Sequence, residues 1–491
     1  MLILYNPQST AGRKKVLPMS LLAVGALLEG DHDYTIVDGN VESDPVGAID
    51  RLVRETGADI LAVTVMPGPQ ISHAVEHCRQ LKEMRPDLTI VWGGYFPTQH
   101  YDSCLRADYV DYVVRGHGEV VFKSLMDSLR RGDDPTGIPG LAYRHPLTGE
   151  ITSNDMAPIP HPDRMPGFPY HRIDVASYVR PTFMGKRTLP HHSSYGCPFH
   201  CNFCAVVNMV GGRWMAESAE RTAGLVRSFV EQWDVDSVEF YDNNFFVHEK
   251  RTAEFAERVM DLGISWWGEG RIDTLIKYSD RSWELMRDSG LKMVFLGAES
   301  GSDETLKLMN KGGTASTAKT LEIASKMKHY GIVPEFSFVL GNPPDPEADT
   351  RQTIEFIRKV KRINPAIEVI LYTYTPVPLA GELYDQAKAS GFQFPETLEE
   401  WISSDWQDLL QRRAEHIPWM KDPLRMEIRN FERVLNAYYP TSTDPKLNGM
   451  RRWVLRAASA WRYHFRLYDH PLELRALHKV LAYQRPETSG F

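Results

Sequence analysis

Three cysteines fall within eight residues, in the run Ser193-Ser194-Tyr195-Gly196-Cys197-Pro198-Phe199-His200-Cys201-Asn202-Phe203-Cys204. With the spacing Cys-x3-Cys-x2-Cys, one short loop can wrap so that three thiolates reach three irons of a cubane cluster. Thiolates are the usual protein ligands of such clusters, and full ligation takes four. A corner left without a protein ligand is informative, because an open metal position can bind a substrate. Two alternatives stand beside this reading. Structural zinc normally takes four ligands; His200 offers a fourth, yet the sequence has no second Cys-x2-Cys knuckle. The three could also be core cysteines that lie close by coincidence. Cys78 and Cys104 are isolated, so the five cysteines form no disulfide framework, and clustered thiols in a reducing compartment favour metal.

Other polar groups follow apolar runs: Phe240-Tyr241-Asp242-Asn243-Asn244, Gly268-Glu269-Gly270-Arg271-Ile272-Asp273, Leu296-Gly297-Ala298-Glu299-Ser300-Gly301 and Phe336-Ser337-Phe338-Val339-Leu340-Gly341. Arg271 can pair with a carboxylate of cofactor or substrate through its planar fork. Gly341, lacking Cβ, permits close backbone approach. Each has an ordinary reading too: Asp and Asn favour turns, Glu299 suits a helix N-terminus, and Gly with Pro stops a strand.

Short apolar runs must position these groups. Over residues 1–131, Leu2–Tyr5, Tyr34–Val37, Asp59–Val65, Thr89–Trp92 and Tyr112–Val114 read as buried strands. Helices are expected near 20–29, 44–56, 70–84, 98–105 and 118–131. The alternation predicts an α/β domain with a parallel sheet covered on both faces, doubly wound and flavodoxin-like (Rossmann-type), with ligands beyond the carboxyl strand ends. Residues 132–188 are proline-rich and read as a linker with a local hairpin. Six strand–helix units over 189–384 predict a partial, TIM-like (β/α)6 barrel, whose chemistry sits at the C-terminal strand ends where the motifs fall. Residues 385–491 read as mainly helical.

The cysteine motif resembles that of the radical S-adenosylmethionine superfamily. The resemblance implies a [4Fe-4S] cluster on Cys197, Cys201 and Cys204 whose open iron chelates S-adenosylmethionine. Reductive cleavage then yields a 5′-deoxyadenosyl radical. It further implies that Tyr241, Asp242 and Asn243 lie where the methionine amino group is held, and that Glu299, Ser300, Ser337 and Gly341 lie near the cofactor. The first domain resembles the cobalamin-binding domain upstream of many such enzymes, through Asn6-Pro7, Pro18-Met19-Ser20-Leu21, Val37-Asp38-Gly39-Asn40, Trp92-Gly93-Gly94 and Val114-Arg115-Gly116-His117-Gly118-Glu119. Thr64, Met66, Gly93, Gly94, Gly116 and Glu119 are the positions expected against cobalamin. The Asp-x-His-x-x-Gly signature that supplies a cobalt ligand is absent from the sequence, which suggests cobalt without a protein imidazole below it.

With both cofactors, the resembling class most commonly methylates an unreactive carbon. Oxidative ring formation, as in the magnesium-protoporphyrin ester cyclase group, is the alternative, and a non-catalytic cobalamin carrier or sensor a third. A small-molecule substrate, apolar or polycyclic, and an electron donor such as flavodoxin or ferredoxin are the expected partners. The net charge of −8 argues against a general nucleic-acid binder. No apolar run approaches the roughly 18 residues of a membrane span, and the N-terminus lacks the charge order of a signal peptide, so a cytoplasmic location is expected. The basic, aromatic segment from Trp453 to Tyr468 suits a helix packed on the barrel with solvated arginines better than a membrane contact.

Overall fold

The computed structural model describes residues 1–10, 15–311, 314–378, 381–410, 417–444 and 447–481. The N-terminal sheet is laid down by β1 (Leu2–Asn6), β2 (Tyr34–Asp38), β3 (Ile60–Thr64), β4 (Thr89–Gly93) and β5 (Tyr112–Val114), parallel in the order 2-1-3-4-5. Between them run α1 (Met19–Leu28), α2 (Pro45–Thr56), α3 (Pro69–Met84) and the short α4 (Tyr95–Gln99) and α5 (Tyr101–Arg106), with α6 (Gly118–Arg131) after β5. One helix was expected near 98–105; His100, with φ −126°, breaks it into two.

The segment after α6 is more than a linker. Strands β6 (Leu141–Arg144) and β7 (Ile151–Ser153) form the expected hairpin, but β6 pairs antiparallel with β5 and extends the sheet to seven strands. The edge of β5 is thereby covered, which an unpaired row of backbone donors and acceptors favours.

The second sheet is wholly parallel, in the order β8 (Thr188–His191), β11 (Ser237–Phe240), β12 (Ser265–Gly270), β13 (Leu291–Glu299), β14 (Val333–Leu340) and β15 (Glu368–Thr373). Its order follows the chain, as an open barrel requires. The first strand, which the sequence predicts over Leu189–Tyr195, ends at His191. At Ser194 the chain leaves the barrel and forms β9 (Ser194–Gly196), which pairs with β10 (Trp214–Ala216) beyond α7 (Val206–Val210). Helices α8 (Ala219–Trp233), α9 (Glu249–Val259), α10 (Ile272–Leu275), α11 (Asp280–Asp288), α12 (Asp303–Leu308), α13 (Thr317–Tyr330) and α14 (Pro346–Ile363) cover the outside. Their apolar faces and the strand residues make one core around Phe240, Phe245, Phe255 and Trp266.

The remainder is helical: α15 (Glu382–Ala389), α16 (Leu398–Trp401), α17 (Ser404–Leu410), α18 (Asp422–Tyr438), α19 (Gly449–Phe465) and α20 (Leu472–Val480). Trp401 of α16 is buried in the core of the N-terminal domain, edge-on to Phe96 at 5.0 Å and against His100 at 4.5 Å. The C-terminal region therefore straps the first domain to the barrel.

Candidate active site

The cysteine loop is held from both sides. Gly196, at φ +81°, enters it where a Cβ would stand 2.3 Å from the Arg213 carbonyl oxygen, so only glycine fits the turn against β10. On the far side Asn202 donates from its backbone N–H to the Met309 carbonyl at 3.1 Å and from Nδ2 to the Leu308 carbonyl at 2.6 Å. Asn310 returns a bond to the His200 carbonyl at 2.9 Å.

Cys197 and Cys204 line a cavity of about 940 Å³; Cys201 is buried behind them. Burial pushes the Cys204 thiol up to about 12 and raises Cys197 as well. Cys201 receives a hydrogen bond from Arg271 Nη1 at 3.2 Å, and Asn244 Nδ2 lies 3.8 Å from the Cys197 sulfur. Three soft donors on one loop, with nitrogen donors aimed at two of them, suit iron, whose thiolate ligands are tuned by such bonds. Among the described residues no three His, Cys, Asp or Glu side chains are grouped to hold a single metal ion.

The barrel-end residues divide into those facing the cavity and those behind it. Tyr241 and Asn243 line it, as do His192, Glu269 and Tyr372 from neighbouring strands. Asp242 does not. Its carboxylate is fully buried, accepting from Ser193 N–H at 3.0 Å and Ser193 Oγ at 2.8 Å, with Ser194 Oγ bonded as well. It fixes the point where β8 turns into the cysteine loop, and its oxygens are already engaged. Arg271 is likewise engaged: Asp273 takes Nε and Nη2 at 3.0 and 2.9 Å. Burial opposes the charge on both, but this pair holds Arg271 above and Asp273 below their ordinary ranges.

At β13 the register shifts between Gly297 and Glu299, and Glu299 adopts a left-handed φ of +63°. Such a bulge re-aims a side chain; here Glu299 meets Lys311, with Ser337 Oγ donating to its other oxygen at 3.4 Å. Ser300 donates to Asp349 at 2.8 Å and is fully buried. Gly341 is approached from within: a Cβ there would sit 2.3 Å from Met420 Sδ, and Trp419 Nε1 donates to its carbonyl at 2.9 Å.

The positions chosen on the first domain converge. Thr64, Met66, Gly93, Gly94, Gly116 and Glu119 all line the same cavity, at the carboxyl edge of the sheet. Gly94 (φ +101°) lets the chain pass with Val65 N and Thr64 Oγ1 only 3.2 and 3.1 Å from where a Cβ would be. Gln70 pins the loop above: its Nε2 donates to Asn6 Oδ1 at 2.7 Å, and its Oε1 accepts from Met66 N–H at 2.7 Å. From this mouth an apolar slot runs into the domain between α1 and α6, past Leu4, Ala62, Leu21 and Phe122. Glu119 Oε2 is buried with no hydrogen-bond partner. An apolar slot, a glycine rim and a buried carboxylate oxygen, 4.0 Å from His117 Nδ1, fit a corrinoid with its nucleotide tail and its amide donors.

Sequence reasoning missed several groups. Glu269 faces the cavity, and burial, with Asp242 nearby, raises its carboxyl to about 8. Burial holds His192 neutral, down to about 4. Phe394, Trp401 and Trp406 form an aromatic wall of the cavity, with Trp401 and Trp406 centroids 5.0 Å apart. Among the described lining residues there is no Lys or Arg.

Comparison with known proteins agrees with these two halves. A B12 binding domain model matches residues 13–126, and a Radical SAM superfamily model matches residues 192–357. An uncharacterized methyltransferase of Pyrococcus horikoshii is 27% identical over 73% of this chain and 78% of its own. The anaerobic magnesium-protoporphyrin IX monomethyl ester cyclase of Rubrivivax gelatinosus is 28% identical over 68% of this chain, which spans 60% of the cyclase. Among solved structures, the radical S-adenosylmethionine methyltransferase TsrM of Kitasatospora setae, with cobalamin and a [4Fe-4S] cluster bound, shares the fold. Its TM-score is 0.64 at 16% identity, covering 79% of this chain and 78% of that one.

Proposed function

The chain belongs to the radical S-adenosylmethionine enzymes that carry a B12-binding domain, and from that premise we propose that it methylates an unactivated carbon of a small, largely apolar, ring-containing substrate. The observation that carries this reading is one continuous cavity. It joins the sheet edge of the first domain, the cysteine loop and the aromatic wall. When bound, the cluster and S-adenosylmethionine supply a carbon-centred radical, and the corrinoid supplies the methyl group.

The chain's own residues then have distinct tasks. Cys197, Cys201 and Cys204 hold the cluster, and Arg271 steadies Cys201. Tyr241 and Asn243 face the sulfonium cofactor, while Glu299, re-aimed by the bulge, is held by Lys311 and Ser337. Asp242 and Ser300 act through others: one fixes the loop, the other ties β13 to Asp349 of α14. Thr64, Met66, Gly93, Gly94, Gly116 and Glu119 hold the corrinoid at the sheet edge. Phe394, Trp401 and Trp406 exclude water and pack the substrate. A flavodoxin or ferredoxin serves as electron donor.

Product analysis after anaerobic reconstitution tests this. Deuterium from the S-adenosylmethionine methyl group is expected in the product. Deoxyadenosine without transferred deuterium supports the second reading, oxidative cyclisation, which the cyclase relative favours.

A further inference from the structure

Helix α19 buries one face and leaves another, of opposite character, in solvent. Leu455, Ser459, Arg462 and Tyr463 point inward, and Tyr463 stacks on Tyr438 of α18 at 4.4 Å. On the other side Met450, Trp453, Ala457, Trp461 and Phe465 follow at spacings of three and four, which aligns them in one stripe. Their exposure is high: 70% for Trp453, 74% for Phe465 and 77% for Met450. An exposed stripe of large apolar groups marks an interaction surface rather than ordinary scatter.

The charge on this helix sets it apart from the rest of the molecule. It carries Arg451, Arg452 and Arg456, besides the buried Arg462 that pairs with Glu473 of α20, and no Asp or Glu, in a chain whose net charge is −8. By helical spacing Arg451 and Arg456 fall on opposite flanks of the stripe, and both are exposed. Long basic side chains beside Trp and Phe are the arrangement of a helix lying in a membrane interface.

We propose that α19 seats the protein on an anionic lipid surface. Trp453, Trp461 and Phe465 enter the boundary between headgroups and acyl chains, and Arg451 and Arg456 meet lipid phosphates. The contact is peripheral, because no helix among the described residues is long and apolar enough to cross a membrane. A second copy of the chain is a poorer occupant. Two-fold pairing of the stripes would bring arginines of both copies together with no carboxylate on either helix to offset them. The overall negative charge elsewhere repels an anionic surface, so this basic helix also dictates the orientation of approach.

Co-sedimentation of the reconstituted full chain with vesicles tests the proposal. Phosphatidylcholine vesicles containing roughly one-third phosphatidylglycerol are expected to carry it down, less so at high salt, and pure phosphatidylcholine vesicles far less. The W453S/W461S/F465S variant should lose binding roughly tenfold or more while keeping its melting temperature and cluster absorbance. The R451E/R456E variant should lose the preference for anionic lipid. No sedimentation with the anionic vesicles, or undiminished sedimentation of the triple variant, overturns the proposal. A dimer in light scattering that the triple variant dissolves does so as well, and assigns the stripe to self-association.

Discussion

Arg271 donates from Nη1 to the sulfur of Cys201 at 3.2 Å, while Asp273 fixes the other edge of the same guanidinium. Phe199, two residues after the first cysteine, lies face-on with its centroid 3.8 Å from the guanidinium carbon. A donor on a cluster sulfur favours the reduced state, which holds more negative charge. R271K keeps a cation but loses the planar fork. It should lower the cluster potential by roughly 65–130 mV, from a charge-assisted bond of about 1.5–3 kcal/mol and 59 mV per tenfold for one electron. A potentiometric titration followed by electron paramagnetic resonance reads this; an unchanged or raised potential contradicts it.

Glu335 lies inside the barrel, its Oε2 accepting from Trp267 Nε1 at 3.1 Å. Burial raises its carboxyl from 4.5 to about 8. Between those values the folded chain keeps a proton that the unfolded chain has released, so this group stabilises the fold at low pH and that contribution is lost as pH rises towards 8. E335Q should flatten the fall in melting temperature across that window. A parallel fall in both proteins would show that the carboxyl is not the source.

Gly94 and Gly132 both have positive φ, +101° and +72°, but differ in surroundings. A Cβ at Gly94 crowds Thr64 and Val65, whereas one at Gly132 meets nothing within 4 Å. G94A should cost about 1–3 kcal/mol and weaken corrinoid retention roughly tenfold. G132A should cost about 1 kcal/mol and leave retention intact. Melting curves and corrinoid absorbance after gel filtration distinguish them; equal retention in both variants argues against a corrinoid at this rim.

Trp401 is 3% exposed and joins the C-terminal region to the first domain through Phe96 and His100. W401A should cost about 3–5 kcal/mol, the usual penalty for removing a buried Trp. Hydrogen exchange should rise in α4 and α16 before the barrel. Unchanged protection in α4 would mean that the strap is held elsewhere.

Most of the fold was legible because strand and helix periods are strong where a parallel sheet is buried on both faces. Tyr112–Val114 matches its apolar run to the residue. The hairpin at 141–153 was visible, but its partner β5 lies across a gap in sequence, and no local pattern reports that pairing. The division of the site was hidden for a related reason. Asp242 and Asn243 are adjacent and chemically alike, yet in the turn after β11 one is drawn behind the wall by Ser193 and the other faces the cavity. Arg271 gave a signal of charge, but its partners Cys201 and Lys311 are distant in sequence. Glu269 sits in the Gly268–Asp273 motif without a local signal of its role; its burial beside Asp242 appears only in three dimensions.

The central claim is that three thiols of one loop hold a cluster whose open iron faces the cavity shared with the first domain. Electron paramagnetic resonance of the anaerobically reconstituted, reduced protein, recorded before and after adding S-adenosylmethionine, tests it most directly. The expected result is a cluster of about four irons per chain whose signal changes on addition, and no signal once Cys197, Cys201 and Cys204 are all replaced by Ala. A protein that takes up no iron, or a signal indifferent to S-adenosylmethionine, would contradict the account.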